Sequence, residues 1–255
     1  MRKKVLVILH FLLVIVLIGW NYLTNTGKFH EQSVGEVSAK LYNLFTPASY
    51  AFSIWGLIFI ALLIKAVFLL VYAFRSEPNQ SFIKSIPYTL LAYLGIMAWL
   101  WFWLQQNTLL SVLIMAVIFI SLWKSRSVLS KEEDSASKQE KWLLIKPIEL
   151  LTAWVMVALL ANISAHLTAV GWNGWGLKDE SWTMLLIGTI MLLNYLIVSR
   201  KGFFLFPIVS AWALVAISVK HYESQELLFW YALIAAFIVL SFLIKRRQET
   251  LQQQY

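Results

Sequence analysis

Residues 147–162 read PIELLTAWVMVALLAN, and the apolar run they begin continues to residue 169 with Glu149 as its one acidic residue. About 20 such residues rise far enough as a helix to cross the ~30 Å hydrocarbon core of a bilayer. Trp154, Ala158 and Asn162 are spaced four apart and share one helical face. That face carries a large aromatic, a small residue that allows close approach, and an amide.

Seven further segments of this kind flank it: roughly 5–23, 48–73, 86–104, 109–123, 182–199, 203–219 and 227–244, giving eight spans in all. The chain has 255 residues, of which 60% are hydrophobic and 13% charged. Soluble domains carry about 25% charged residues, so lipid is the expected solvent. The resulting fold class is an all-α integral membrane protein. The N-terminal Met1-Arg2-Lys3-Lys4 and the apolar run after it resemble a signal peptide, but no small-x-small cleavage site follows and Asn21 to Asn25 is a poor cleavage region. This segment reads as an uncleaved first span.

The net charge of +8 fits membrane orientation better than nucleic acid, which is not an expected partner. With the N-terminus inside, the inside segments hold Arg2, Lys3, Lys4, Arg75, Lys84, Lys124, Arg126, Lys131, Lys138, Lys141, Arg200, Lys201, Lys245, Arg246 and Arg247. The outside segments hold only Lys28, Lys40, Lys178 and Lys220. An even number of spans places both termini inside. Lys65 and Lys146 lie within apolar runs and are expected to snorkel to the inside surface. Residues 124–141 read as a solvated inside loop.

The outside stretch 24–46 is the longest on that side. Ser33-Val34-Gly35-Glu36 has capping-box spacing, and Val34, Val37, Leu41 and Leu44 recur at helical intervals. A short amphipathic helix follows, either lying on lipid or serving as a lid over an outward-facing cavity. No cysteine is present, which excludes disulfides and thiolate chemistry. His10, His30, His166 and His221 are dispersed, and no metal site is expected. No phosphate-cradling loop, zinc-protease motif or nucleophile elbow occurs.

A second distinctive stretch is LFTPASYAFSIWGLIF, residues 44–59, at the outer entry to the second span. Proline near a helix start is easily accommodated, and the aromatics at 50, 52 and 55 cluster just after it. Residues 44–59 and 147–162 together resemble the TspO/MBR family (tryptophan-rich sensory protein, translocator protein). Thr46-Pro47, Phe52 and Trp55 match its second-helix pattern; Trp154-Val155, Ala158 and Asn162 match its fifth-helix pattern. Tyr50 stands where the family usually has tryptophan, and Ala98 stands where an asparagine is expected beside Trp99, Trp101 and Trp103. The resemblance covers residues 1–170 and implies a five-helix TspO-like bundle there, with residues 171–255 as three additional transmembrane helices and a basic tail.

The resemblance further implies a membrane binding or sensory protein for a porphyrin, a haem-type tetrapyrrole or a similar flat hydrophobic ligand. Its pocket would be lined by Pro47, Tyr50, Phe52, Trp55, Trp154, Ala158 and Asn162. Aromatic side chains stack on such ligands, and an amide can fix orientation. For each of these residues an interface belt or a helix–helix contact is the competing reading. No cofactor is obligatory. A transporter of the same ligand, a light-dependent porphyrin-degrading enzyme and a membrane scaffold are the alternatives, although no acid–base or nucleophile constellation supports ordinary turnover. Glu149, as the acidic residue of the fifth span, is a candidate for proton coupling. A homodimer or another membrane partner is open, and a bacterial cytoplasmic membrane is the expected location.

Overall fold

The computed structural model describes residues 2–26 and 31–252, with side chains through residue 244. Lys28, His30 and the side chains of Lys245, Arg246 and Arg247 lie outside the described residues. In hydrocarbon every backbone N–H and C=O must find a partner within the chain, and continuous apolar segments meet that requirement as helices. The principal helices are α1 (Arg2–Asn25), α2 (Val34–Lys40), α3 (Ile54–Arg75), α4 (Gln80–Leu104) and α5 (Thr108–Leu129). After them come a single turn α6 (Lys138–Glu140), α7 (Lys146–Ala169), α8 (Asp179–Lys201), α9 (Leu205–His221) and α10 (Glu226–Gln252). No strand occurs among the described residues.

Each of the eight expected spans corresponds to one of these helices. Seven, among the described residues, are long and apolar enough to cross a bilayer. The eighth, α9, has 17 residues and is about 25 Å long. The protein is therefore an all-α, multi-pass membrane protein. Boundaries shift where local chemistry overrides hydropathy. A 3₁₀ turn, Ser49–Ser53, precedes α3. Helix α5 continues to Leu129, six residues beyond the expected end. Pro87 lies inside α4, with the Ser85 and Thr89 hydroxyls on either side donating to the carbonyls of Phe82 (2.7 Å) and Ile86 (2.8 Å).

The chain forms two compact units, Met1–Val37 with Ser53–Val155, and Ser38–Phe52 with Met156–Tyr255. In the first, α1 packs on α3 and α4, and α4 packs on α5. Ile58, Leu62, Ala66 and Leu69 form the buried face of α3, and Val7, Val14 and Leu17 that of α1. Gly95 marks a close approach of α4 to α5: a Cβ there would stand 2.7 Å from Cγ1 of the buried Ile118. Small residues serve this purpose in membrane bundles. Gly95→Val is expected to destabilise the protein by about 1–3 kcal/mol through overpacking, measurable as a lower melting temperature in detergent.

The capping box forms as the sequence suggests. The Ser33 N–H donates to Glu36 Oε2 (2.6 Å) and the Glu36 N–H to Ser33 Oγ (3.3 Å). Helix α2 stops after seven residues, so Leu41 and Leu44 fall beyond it. Val34 and Val37 are buried. The Val34 N–H donates to Asn25 Oδ1 (3.2 Å), and its carbonyl accepts from Trp103 Nε1 (3.2 Å). These bonds tie the start of α2 to the ends of α1 and α4, so it packs on protein.

In the second unit α8, α9 and α10 pack together. Asn194 Nδ2 of α8 donates to Ser210 Oγ of α9 (2.8 Å), a helix-packing role. The chain segment that carries Pro47, Tyr50 and Phe52 is fastened to α9 at three points. The Ala48 N–H donates to the Ala216 carbonyl (3.0 Å), Trp212 Nε1 to the Ala51 carbonyl (3.1 Å), and His221 Nε2 to the Leu44 carbonyl (2.7 Å).

Two expectations about charge are corrected. Lys65 does not snorkel; it is 1% exposed. It lies ten residues before the inner end of α3, about 15 Å along the axis, and helical side chains lean toward the N-terminus, away from that end. The solvated loop expected over residues 124–141 is shorter than that: residues 124–129 belong to α5, while Lys131, Asp134, Ser135, Ser137, Lys138 and Gln139 are exposed. Arg126 lies in the last turn of α5 and is fully buried. Glu132, in a following 3₁₀ turn, accepts from Asn79 Nδ2 (2.6 Å) and Ser81 Oγ (2.7 Å).

Candidate functional site

Two of the expected site residues meet in the first unit. Trp55, in the first turn of α3, stands edge-on to Trp154 of α7, with centroids 6.4 Å apart and planes at 86°. Trp55 also stacks on Phe59 (5.5 Å, 24°) and on Trp99 (6.3 Å, 25°). Trp99 in turn stacks on Trp103 (6.0 Å, 23°). The result is a run of four roughly parallel rings, Phe59–Trp55–Trp99–Trp103, with the Trp154 indole set across it. Trp99, Trp103 and Trp154 are buried and Trp55 is half-buried. Trp103 links this run to α2 through its bond to Val34.

Trp99 and Trp103 were not among the expected site residues. Their spacing of four was the available signal: it puts them on one face of α4 and turns Trp101 away. Trp101 is half-buried against Trp20, with centroids 6.1 Å apart, and Trp20 Nε1 donates to the Met97 carbonyl (3.1 Å).

The remaining expected residues lie in the second unit. Pro47 and Phe52 are half-buried, and Tyr50 is 38% exposed with its ring edge-on to Trp212 (5.2 Å, 80°). Ala158 is half-buried and Asn162 is buried. Asn162 Nδ2 donates to the Ala158 carbonyl (2.8 Å), within the same helix. Ser164, two residues on, donates to Asn43 Oδ1 (2.8 Å), which also accepts from the Phe45 N–H (3.0 Å). These bonds fix the end of the first outside loop against α7.

Where α5 ends and α7 begins, the first unit holds a buried ionic cluster. Arg126 donates to Glu149 Oε2 from Nε (3.1 Å) and from a terminal nitrogen (2.9 Å), and to Glu133 Oε2 (2.6 Å). Lys146 Nζ donates to Glu133 Oε1 and Glu149 Oε2, both at 2.8 Å. Two cations and two carboxylates balance. Burial works to raise the Glu133 carboxyl, but the Lys146 and Arg126 cations outweigh it and hold the group below the usual carboxylate range. Glu149 thus stands as the partner of Arg126 and Lys146. Sequence spacing gives no direct sign of this cluster, because Arg126 and Glu149 are 23 residues apart.

The chemistry on offer is aromatic and apolar in the upper part of the first unit, and ionic and internally neutral at its base. One family model, described as TSPO-like protein, matches residues 7–245. The match takes in α8, α9 and the apolar part of α10 as well as the earlier helices. No curated protein and no solved structure matches the chain.

Proposed function

The chain belongs to the TSPO-like family, and on that premise we propose that it is a membrane receptor for a flat hydrophobic ligand, a tetrapyrrole or a molecule of similar shape. The observation that carries this reading is the aromatic run Trp55–Trp99–Trp103 with Trp154 across it. Parallel and edge-on indoles offer the π-faces and edges that a large flat ring system prefers. The concentration of basic residues on one set of inter-span segments supports an orientation with the N-terminus inside.

Titration of the detergent-purified protein with protoporphyrin in the dark, following tryptophan quenching and pigment absorbance, tests the proposal. Saturable binding is expected. Trp99→Leu and Trp154→Leu should each weaken it roughly three- to tenfold, the worth of one lost ring contact. Asn162→Ala, run beside them, reports on the second half of α7. Melting curves of each variant separate a lost contact from a lost fold. No saturable binding, or binding indifferent to both ring deletions in folded protein, would overturn the reading.

A further inference from the structure

We propose that a cavity in the second unit, at the end of the protein that the charge bias places outside, binds a compact organic cation of the choline type, either free or as a phospholipid headgroup. The cavity encloses about 270 Å³ between the end of the first outside loop, the C-terminal end of α7 and the start of α8. That is several times the ~30 Å³ share of one water and near the lower limit of small-molecule sites. Its occupant must therefore be small.

The lining defines the chemistry. Two indoles, Trp172 and Trp182, form part of the wall, with centroids 4.6 Å apart and planes at 69°. The only charged side chain among the lining residues is Asp179, in the first turn of α8. A carboxylate beside indole rings, with no cation in the same wall, matches an ammonium: the carboxylate supplies the counter-charge and the rings supply their negative faces. The adjoining cleft continues the bias, with Asp179 and Glu180 against Lys178. Lys220 is a neighbour of this lining: its Nζ stands 5.5 Å over the ring of Tyr42, which also borders the cavity, so the Asp179 carboxylate is the cavity's own charge and Lys220 covers one of its rings.

The inference stands apart from the tetrapyrrole reading, which concerns the first unit.

Equilibrium binding of radiolabelled choline to the full-length protein in phosphatidylglycerol nanodiscs provides the test. Saturable binding is expected, and the uncharged carbon isostere, with tert-butyl in place of trimethylammonium, should not compete. Asp179→Asn should weaken binding about tenfold, with Asp179→Glu restoring most of it. Trp182→Leu, which removes a ring from the wall, should weaken it roughly threefold. In phosphatidylcholine nanodiscs, loss of choline binding identifies the lipid headgroup as the occupant, and unchanged binding identifies the free cation. The proposal is overturned by no saturable binding in phosphatidylglycerol, by equal competition from the isostere, or by an Asp179→Asn variant that is folded and binds as the wild type does.

Discussion

Arg126→Met is expected to destabilise the protein by about 3–5 kcal/mol, the usual cost of removing one member of a buried ion pair. The cost comes chiefly from what remains. Glu149 is fully buried and would lose its arginine while still sharing Lys146 with Glu133. Two carboxylates would then face one ammonium in a place that water reaches poorly. Arg126→Met/Glu149→Met removes the excess charge and leaves the Lys146–Glu133 pair at 2.8 Å, so it should be more stable than Arg126→Met alone. Thermal unfolding in detergent, followed by intrinsic fluorescence, reads both. A double variant that loses the sum of the two single losses would show that the residues act separately. Acid should narrow the gap between wild type and Arg126→Met. The folded Glu133 carboxyl titrates below its ordinary range because the cations outweigh burial. Its contribution is present above the unfolded value and is lost as pH falls through the folded one. A gap unchanged by acidification through that window would count against Glu133 as a contributor.

The eight helices were legible because lipid imposes one requirement on every span, and hydropathy records it directly. The α2 capping box was legible for a different reason: its partners lie three residues apart, and a local motif needs no tertiary knowledge. Arg126 was illegible for the opposite reason. An arginine at the end of an apolar run reads as an orientation charge whether it faces water or folds inward, and the carboxylate that decides between the two lies on another helix. Lys65 misled in the same way. The aromatic run was half legible. Trp55 and Trp154 stood out by their motifs, whereas Trp99 and Trp103 needed Trp101 to be assigned to another face.

The segment 44–51 shows how tertiary context redistributes a motif. Pro47, Tyr50 and Phe52 read as the opening of a pocket-lining helix, yet the backbone there is held by Trp212, Ala216 and His221 of α9. Two side-chain bonds and one backbone bond to one helix fix the position of this strip. Helices 171–255 therefore do more than follow the first five: α9 supplies partners for backbone groups of Leu44, Ala48 and Ala51 within the second unit. The family match, residues 7–245, also takes in these helices.

Lys65→Met is expected to raise stability, by about 2 kcal/mol, the second-largest change anticipated here. A lysine at the centre of a membrane helix costs about 2.5–3.5 kcal/mol on insertion scales, and methionine fills a similar volume with no charge. The expectation depends on whether the ammonium has a counter-charge. Among the described residues no carboxylate lies within ion-pair distance of Lys65. His10 is close enough to Lys65 to interact electrostatically, and His10 Nε2 stands 3.5 Å from the Tyr93 hydroxyl. His10 and Tyr93 are themselves fully buried, so neither brings water to the ammonium. A buried cation that costs stability and serves packing alone would be replaced by methionine with gain, whereas one engaged by a compensating acceptor would not. Melting of Lys65→Met beside wild type decides the matter: a rise confirms an uncompensated charge, and a fall of similar size would mean that the ammonium has a favourable partner in the protein in solution. Lys65→Arg supplies the control, because it keeps the charge and adds bulk beside Leu62, Ala66 and Leu69, and it should melt below the wild type in either case.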